Sequence, residues 1–282
     1  MKKYLVMALC LVLVAAVSVV GTVAYLTASD SKTNVFTVGN VDIEILEYQR
    51  VVNNDGSWSA STTADKYGYY PDLMEPFVND KPLLPAVYQD GKEKWDDRNG
   101  SENPSGAGSH QQSWGQINAP GACQIMDDSV KNVQDKFVFV KNTGNNDAFV
   151  RVWLAFEAGS FTAAEMDDVK LHTVCDGDHW SWSGFSENMS AQIDGVKYYF
   201  VTMDYLGASN SDGTLAPNAI SYPGLLQVFL DPSITSDEAA AFGESYDVLV
   251  YAQAVQAAGF TSSAQAFEKA FGTISAANNP WA

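Results

Sequence analysis

Phe137-Val138-Phe139-Val140-Lys141-Asn142-Thr143-Gly144-Asn145-Asn146-Asp147-Ala148-Phe149-Val150-Arg151-Val152-Trp153-Leu154-Ala155-Phe156-Glu157 is the stretch that decides the fold class. Two runs rich in β-branched and aromatic residues flank a turn of Asn, Thr and Gly, and such side chains suit a pleated, half-buried surface. In the second run Val150, Val152, Leu154 and Phe156 recur at every second position, so one face of that strand is wholly apolar. The pair reads as a hairpin or a Greek-key corner.

Similar signals lie on both sides of it. Upstream, Val35 to Glu47 alternates, with Val35, Thr37, Val41, Ile43 and Ile45 on one face and Asn40, Asp42 and Glu44 on the other. This predicts a half-buried strand with a bulge at Gly39-Asn40. Downstream, Val169–Cys175, Val196–Met203, Leu225–Leu230 and Tyr246–Val255 are further strand candidates. Two short helices fit the remainder. One is capped by Ser236 over Asp237–Phe242. The other is capped by Ser262 in a capping box with Gln265, with Ala264, Phe267 and Phe271 on its apolar face and Gly272 as its stop. Seven or eight strands with few helices predict a mainly β chain, an antiparallel sandwich or jelly roll. Residues 53–121 differ in texture: Asn53-Asn54-Asp55-Gly56 is a turn, and Asp96 to Gly108 is rich in Gly, Ser, Asn and charge. Trp58, Trp95 and Trp114 are scattered through them without periodicity, so this segment is read as a long loop-rich insertion in a single domain spanning 25–282.

The N-terminus reads as an export signal. Met1-Lys2-Lys3 precedes an apolar run from Tyr4 to Val20, and Thr22-Val23-Ala24 offers small or modest residues for cleavage between Ala24 and Tyr25. The run also approaches the roughly 20 residues that span a bilayer, so an uncleaved anchor is the alternative. In both cases the rest of the chain is expected outside the cytoplasm, as a secreted or cell-surface protein whose only membrane contact is the signal. Asn278 to Ala282 carries no Leu-Pro-x-Thr-Gly wall-sorting motif, so any retention at the surface is expected to depend on other molecules.

The 282 residues are 46% apolar and 12% aromatic, enough to bury a core. The formal net charge of −18 becomes −20 once Lys2 and Lys3 leave with the signal. That sign argues against nucleic acid and anionic lipid as partners. Cys10 lies in the signal, leaving Cys123 and Cys175, which form either one disulfide or buried apolar thiols.

Catalytic signals are sparse. His110, His172 and His179 form no zinc-helix pattern, and no nucleophile elbow, phosphate loop or dinucleotide fingerprint occurs. Cys175, Asp176, Asp178 and His179 are the densest ligand-like group, explained equally by a surface turn. No metal ligands or catalytic residues are assigned, and no cofactor is expected. Ca²⁺ is the one cation the acidic turns Asp55-Gly56, Asp176-Gly177-Asp178 and Asp212-Gly213 would suit, although tight turns use Asp-Gly for backbone reasons alone. Trp180 and Trp182 fit either a sugar-stacking platform or a β core.

Gly21-Thr22-Val23-Ala24-Tyr25-Leu26-Thr27, followed by Ser31-Lys32-Thr33-Asn34-Val35-Phe36-Thr37-Val38-Gly39-Asn40-Val41-Asp42-Ile43, resembles the start of proteins exported through the SipW-type signal peptidase. That group includes the biofilm matrix fibre protein TasA and camelysin. Phe137 to Val152 resembles the family's strand, Asn-x-Gly turn and Arg-Val strand. Tyr251-Ala252-Gln253-Ala254-Val255-Gln256, with Gly259-Phe260 and Ala266-Phe267, resembles the C-terminal stretch of its longer members. The resemblance leaves out the insertion. It implies a jelly roll and, in fibre-forming relatives, assembly by a donated N-terminal strand. Here that strand would run from Tyr25 through Leu26 and Ala28 to about Val35, freed by signal peptidase. An ordinary first strand or a linker is the other reading of this segment. Expected partners are further copies of the chain or other matrix proteins. The expectation is thus a non-enzymatic matrix or surface subunit. The alternatives are an adhesin working through the insertion and a camelysin-like metallopeptidase, for which the residues supply no zinc constellation.

Overall fold

Why the two runs around Asn142 are not a hairpin is visible in the strand pairing of the computed structural model, which describes residues 34–50, 74–78, 83–88, 111–112, 120–123, 130–167, 169–177, 179–207, 212–242 and 246–282. Among these residues the strands are β1 (Asn34–Val38), β2 (Ile43–Arg50), β3 (Met74–Pro76), β4 (Val87–Tyr88), β5 (Gln111–Gln112), β6 (Pro120–Cys123), β7 (Val130–Lys131) and β8 (Gln134–Asp135). They continue with β9 (Phe137–Asn142), β10 (Ala148–Glu157), β11 (Leu171–Cys175), β12 (Ser190–Ile193), β13 (Val196–Asp204), β14 (Thr214–Leu215), β15 (Leu225–Leu230) and β16 (Val248–Gln256). The helices are α1 (Ala163–Met166), α2 (Ser236–Ala240) and α3 (Ser263–Phe271). Among the described residues the chain is therefore mainly β with three short α-helices, one more than the sequence reading expected there.

The largest sheet runs β1-β16-β10-β13-β12, with β14 also on β10. Two three-stranded sheets, β3-β2-β9 and β11-β15-β8, lie against its inner face. They are stitched side by side, since Ser221 and Gly224 donate backbone N–H groups to Val140 and Val138, and Lys136 donates to Leu226. The core between the layers takes Ile43 and Ile45 from β2, Val138 and Val140 from β9, and Tyr199, Val201 and Met203 from β13. It also takes Val150, Val152, Leu154 and Phe156 from β10, the apolar face read from the sequence. β9 pairs with β2 whereas β10 pairs with β13 and β16, so the Asn142–Asn146 turn carries the chain from one layer to the other. The turn is thus a crossing between layers and not a hairpin.

Three expectations change. Val35 to Glu47 is not one strand: it breaks at Gly39 (φ +91°), and the halves enter different sheets. Pairing is not wholly antiparallel, because β1 runs parallel to β16 with Asn34 opposite Tyr251 and Val38 opposite Val255. These strands come from opposite ends of the chain, so no short hairpin dictates their direction. The cap of α2 is Thr235 rather than Ser236; its hydroxyl accepts from Glu238 N–H, and the Glu238 carboxylate accepts from Thr235 N–H. The unexpected α1 has the same reciprocal box between Thr162 and Glu165, a pattern present in the sequence.

The outer face of the large sheet is the other difference. Phe149, Trp153 and Ala155 point outward from β10 and are buried nonetheless. α3 covers Phe149 and Val255 with Ala266 and Phe267, while the chain end lays Ala276 and Trp281 over Trp153, Ala155, Tyr198 and Phe200. The Trp281 ring stacks on Phe200 at 5.7 Å and meets Tyr251 edge-on. On α3 the buried pair is Ala266 and Phe267; Ala264 is exposed, because the helix sits on the sheet through a neighbouring stripe. Gln265 completes only half the expected box: its N–H is accepted by Ser262, but its side chain accepts from Thr261 rather than from the cap.

Candidate assembly edge

The two sequence stretches that stand out, Gly39–Asp42 and Asn142–Asn146, meet at one corner of the molecule. Thr143 and Gly144 donate their backbone N–H groups to the Asp42 carbonyl, and Asn146 Nδ2 donates to the Asn40 carbonyl at 2.7 Å. Asn142 is fully buried and saturated. Its Nδ2 donates to the carbonyls of Asn146 and Leu215, each at 2.8 Å, and its Oδ1 accepts from Gly144 N–H. A Cβ on Gly144 would stand 2.7 Å from the Asp42 nitrogen, so glycine is required by close backbone approach. On the other side, Asn40 N–H donates to Gln256 Oε1 at 3.1 Å, which ties the corner to the end of β16. These bonds fix where β1 leaves the corner and hold it along β16.

Among the described residues β1 stands at one edge of the large sheet, and β12 forms the opposite edge. Val35 pairs within the chain, opposite Ala252. Tyr25, Leu26 and Ala28, the cleavage position at Ala24 and the whole signal lie outside the described residues. So do Trp58, Trp95, Trp114, His110, Asp55 and Asp178. Part of the insertion joins the main body: β3 pairs with β2, Leu83 and Ala86 are buried, and Phe77 packs under the Lys136 ammonium at 4.0 Å, whereas β5 pairs only with β6 in a separate two-stranded sheet. Lys136 also pairs with Glu47 at 3.2 Å, and burial pushes its ammonium below the ordinary range against the pull of that carboxylate.

The ligand-like group at 175–179 is held by structural contacts. Asp176 accepts from His179 Nδ1 at 2.8 Å, and the imidazole stacks on Tyr222 with ring centres 3.5 Å apart. Among the described residues no three His, Cys, Asp or Glu side chains gather as a metal would require. The Asp212 carboxylate is engaged by the N–H and hydroxyl of Thr214, a turn bond that holds its carboxyl below the usual range. Trp180 is core, with its indole N–H donating to the Tyr222 carbonyl at 2.8 Å, and half-buried Trp182 packs edge-on to Phe156 and Phe185. The tryptophan pair thus belongs to the β core rather than to a sugar platform. Cys175 ends β11 half-buried, and the Cys123 side chain lies outside the described residues, as does any bridge between them. Among the described residues no helix is long and apolar enough to cross a membrane.

A buried ion pair absent from the sequence reading crosses the large sheet. Arg151 meets Asp204 through two nitrogens, with Nη2 at 2.8 Å, and its guanidinium lies 4.2 Å over the Phe267 ring. The signal was a charged residue inside an apolar strand, interpretable only with its cross-strand partner at Arg151↔Asp204. Comparison with protein-family models, curated proteins and solved structures finds no match to this chain.

Proposed function

We propose that the chain is a secreted, non-enzymatic matrix or cell-surface subunit with a jelly-roll-like body, which assembles with further copies by adding its N-terminal segment to a neighbour's sheet. The observation that carries this reading is the place of β1. Among the described residues it lies at an edge of the large sheet, so Asn34, at the start of β1, stands on that edge. An extended segment there satisfies backbone groups on an open sheet edge and seats alternate side chains. Repeated head to tail, such a contact does not close and yields a filament. The corner supports it further, because the bonds of Asn40 to Asn146 and Gln256 tie down the chain just after β1. The segment's resemblance to SipW-exported matrix proteins points the same way.

The test compares protein beginning at Tyr25 with protein beginning at Asn34, the position that spares β1. After concentration, the longer form should sediment and show filaments in electron micrographs, and the shorter should form none. Filaments from both forms, or from neither, would remove strand addition as the mechanism.

A further inference from the structure

β12 has the sequence of an edge that can pair with a second copy of itself. It pairs with β13 on one side, and among the described residues no strand pairs on its other side. Phe200 N–H donates to the Met189 carbonyl, and the two-residue turn Asp194-Gly195 closes between Ile193 and Val196. Met189, Ala191 and Ile193 are therefore the positions bonded to β13, and the N–H and C=O groups of Ser190 and Gln192 point to the free side. Exposed edges are commonly blunted by Lys, Pro or a bulge. Asn188 to Ile193 carries no charged side chain and no proline, and its register with β13 is unbroken. Glu187, just before it, is paired with Lys197 at 3.7 Å. In a strongly acidic chain, this neutral stretch is a place where two copies can approach without like charges meeting.

The register follows from the pleat. Opposite residues of an antiparallel ladder point to the same face, so a two-fold axis relating two β12 strands must pass through a residue. With the axis at Ala191, Ser190 of each copy faces Gln192 of the other, and the outward N–H and C=O groups of both are satisfied. On the outer face Met189 then meets Ile193, joining the apolar clusters on which Met189, Ala191 and Ile193 already pack. The small Ala191 side chain sits on the axis, where opposite Cα atoms would be about 4.5 Å apart. Past the strand ends Asp194 faces Asn188 and Glu187 faces Gly195, so no carboxylate opposes another. An axis at Ser190 or Gln192 would instead carry an outward pair beyond the end of β12.

We propose that the free edge of Ser190–Ile193 is a self-association surface, on which a second copy lays its own β12 antiparallel about a two-fold axis at Ala191. The contact uses the same patch on both copies and closes as a dimer, so it is distinct from strand addition and independent of the residues before Asn34. Four residues a side fall short of the roughly 20 of a stable interface. The dimer should accordingly form on concentration and come apart on dilution.

The experiment uses protein beginning at Tyr25 and, in parallel, at Asn34. After mild oxidation of concentrated Ala191→Cys, both should give a dimer whose bridged peptides join position 191 to position 191, since the paired Cα atoms stand within disulfide range. Val196→Cys, 38% exposed on the neighbouring strand, should give at least tenfold less, because the two β13 strands would lie about 14 Å apart. Gln192→Pro removes an outward N–H without taking a bond from β13, and should abolish the concentration-dependent dimer in sedimentation while thermal unfolding stays cooperative. The disulfide arm decides the matter if Gln192→Pro fails to fold. Equal bridging at 196 and 191, or an undiminished dimer from folded Gln192→Pro, would overturn the proposal. So would a 191 bridge formed only by the Tyr25 form, since the contact would then depend on the N-terminal segment. Filaments or their absence in the Tyr25 form bear on strand addition alone.

Discussion

Asn142 shows how much one buried amide can specify. It is closed off from water, and all three of its side-chain hydrogen bonds go to backbone groups, two within its own turn and one at Leu215. An amide in a dry site earns its place only when its polar atoms are met, and removing one partner there costs more than the bond is worth in water. Asn142→Asp keeps the shape but turns a carboxylate oxygen toward two carbonyls. We expect a loss of about 3 kcal/mol or more in urea unfolding, with a pH dependence the unsubstituted protein lacks, since protonation of the new carboxyl restores one donor. A change within 0.5 kcal/mol would mean the corner is held by the backbone alone. The sequence announced this residue only as part of an Asn-Gly turn. Its depth was hidden because the groups it bonds lie as far away as Leu215.

Strands read well when one face met water and poorly when neither did. The alternation of Ile43, Glu44 and Ile45 survives in the structure as buried, exposed and buried. In β10 both faces are buried, so Phe149 and Trp153 gave no periodic signal of what covers them. The cover comes from α3 and the chain end, more than a hundred residues away, and period-2 reasoning has no access to it. β1 illustrates a second limit: its parallel partner, β16, is chosen by tertiary packing and not by any turn. The roof itself is testable. Trp281 is half-buried, and the hydrogen bonds of Asn278, Asn279 and Trp281 run to other residues of the chain end. Side-chain packing thus secures this end to the sheet. Trp281→Ala should cost about 1–3 kcal/mol, below the range for a fully buried aromatic. It should also raise binding of a hydrophobic dye as Phe200 and Tyr251 become accessible. An unchanged dye signal and stability would show that Ala276 and its neighbours suffice as cover.

For the molecule as a whole, the strand-rich class, the corner and the C-terminal helix were legible in the sequence, whereas the arrangement of sheets and the two unlike edges were not. Among the described residues the large sheet carries β1 at one edge and β12 at the other, so its two edges differ, and a head-to-tail contact of the proposed kind would propagate rather than close. The charge of −18 opposes non-specific clumping, so association is expected to depend on directed contacts. The most direct measurement follows backbone hydrogen exchange in the Tyr25–Thr33 peptide of the processed chain, dilute and after concentration to the point of sedimentation. The account predicts that this peptide exchanges rapidly in dilute protein and becomes strongly protected in the sediment. Equal, rapid exchange of Tyr25–Thr33 in both samples would contradict assembly through the N-terminal strand.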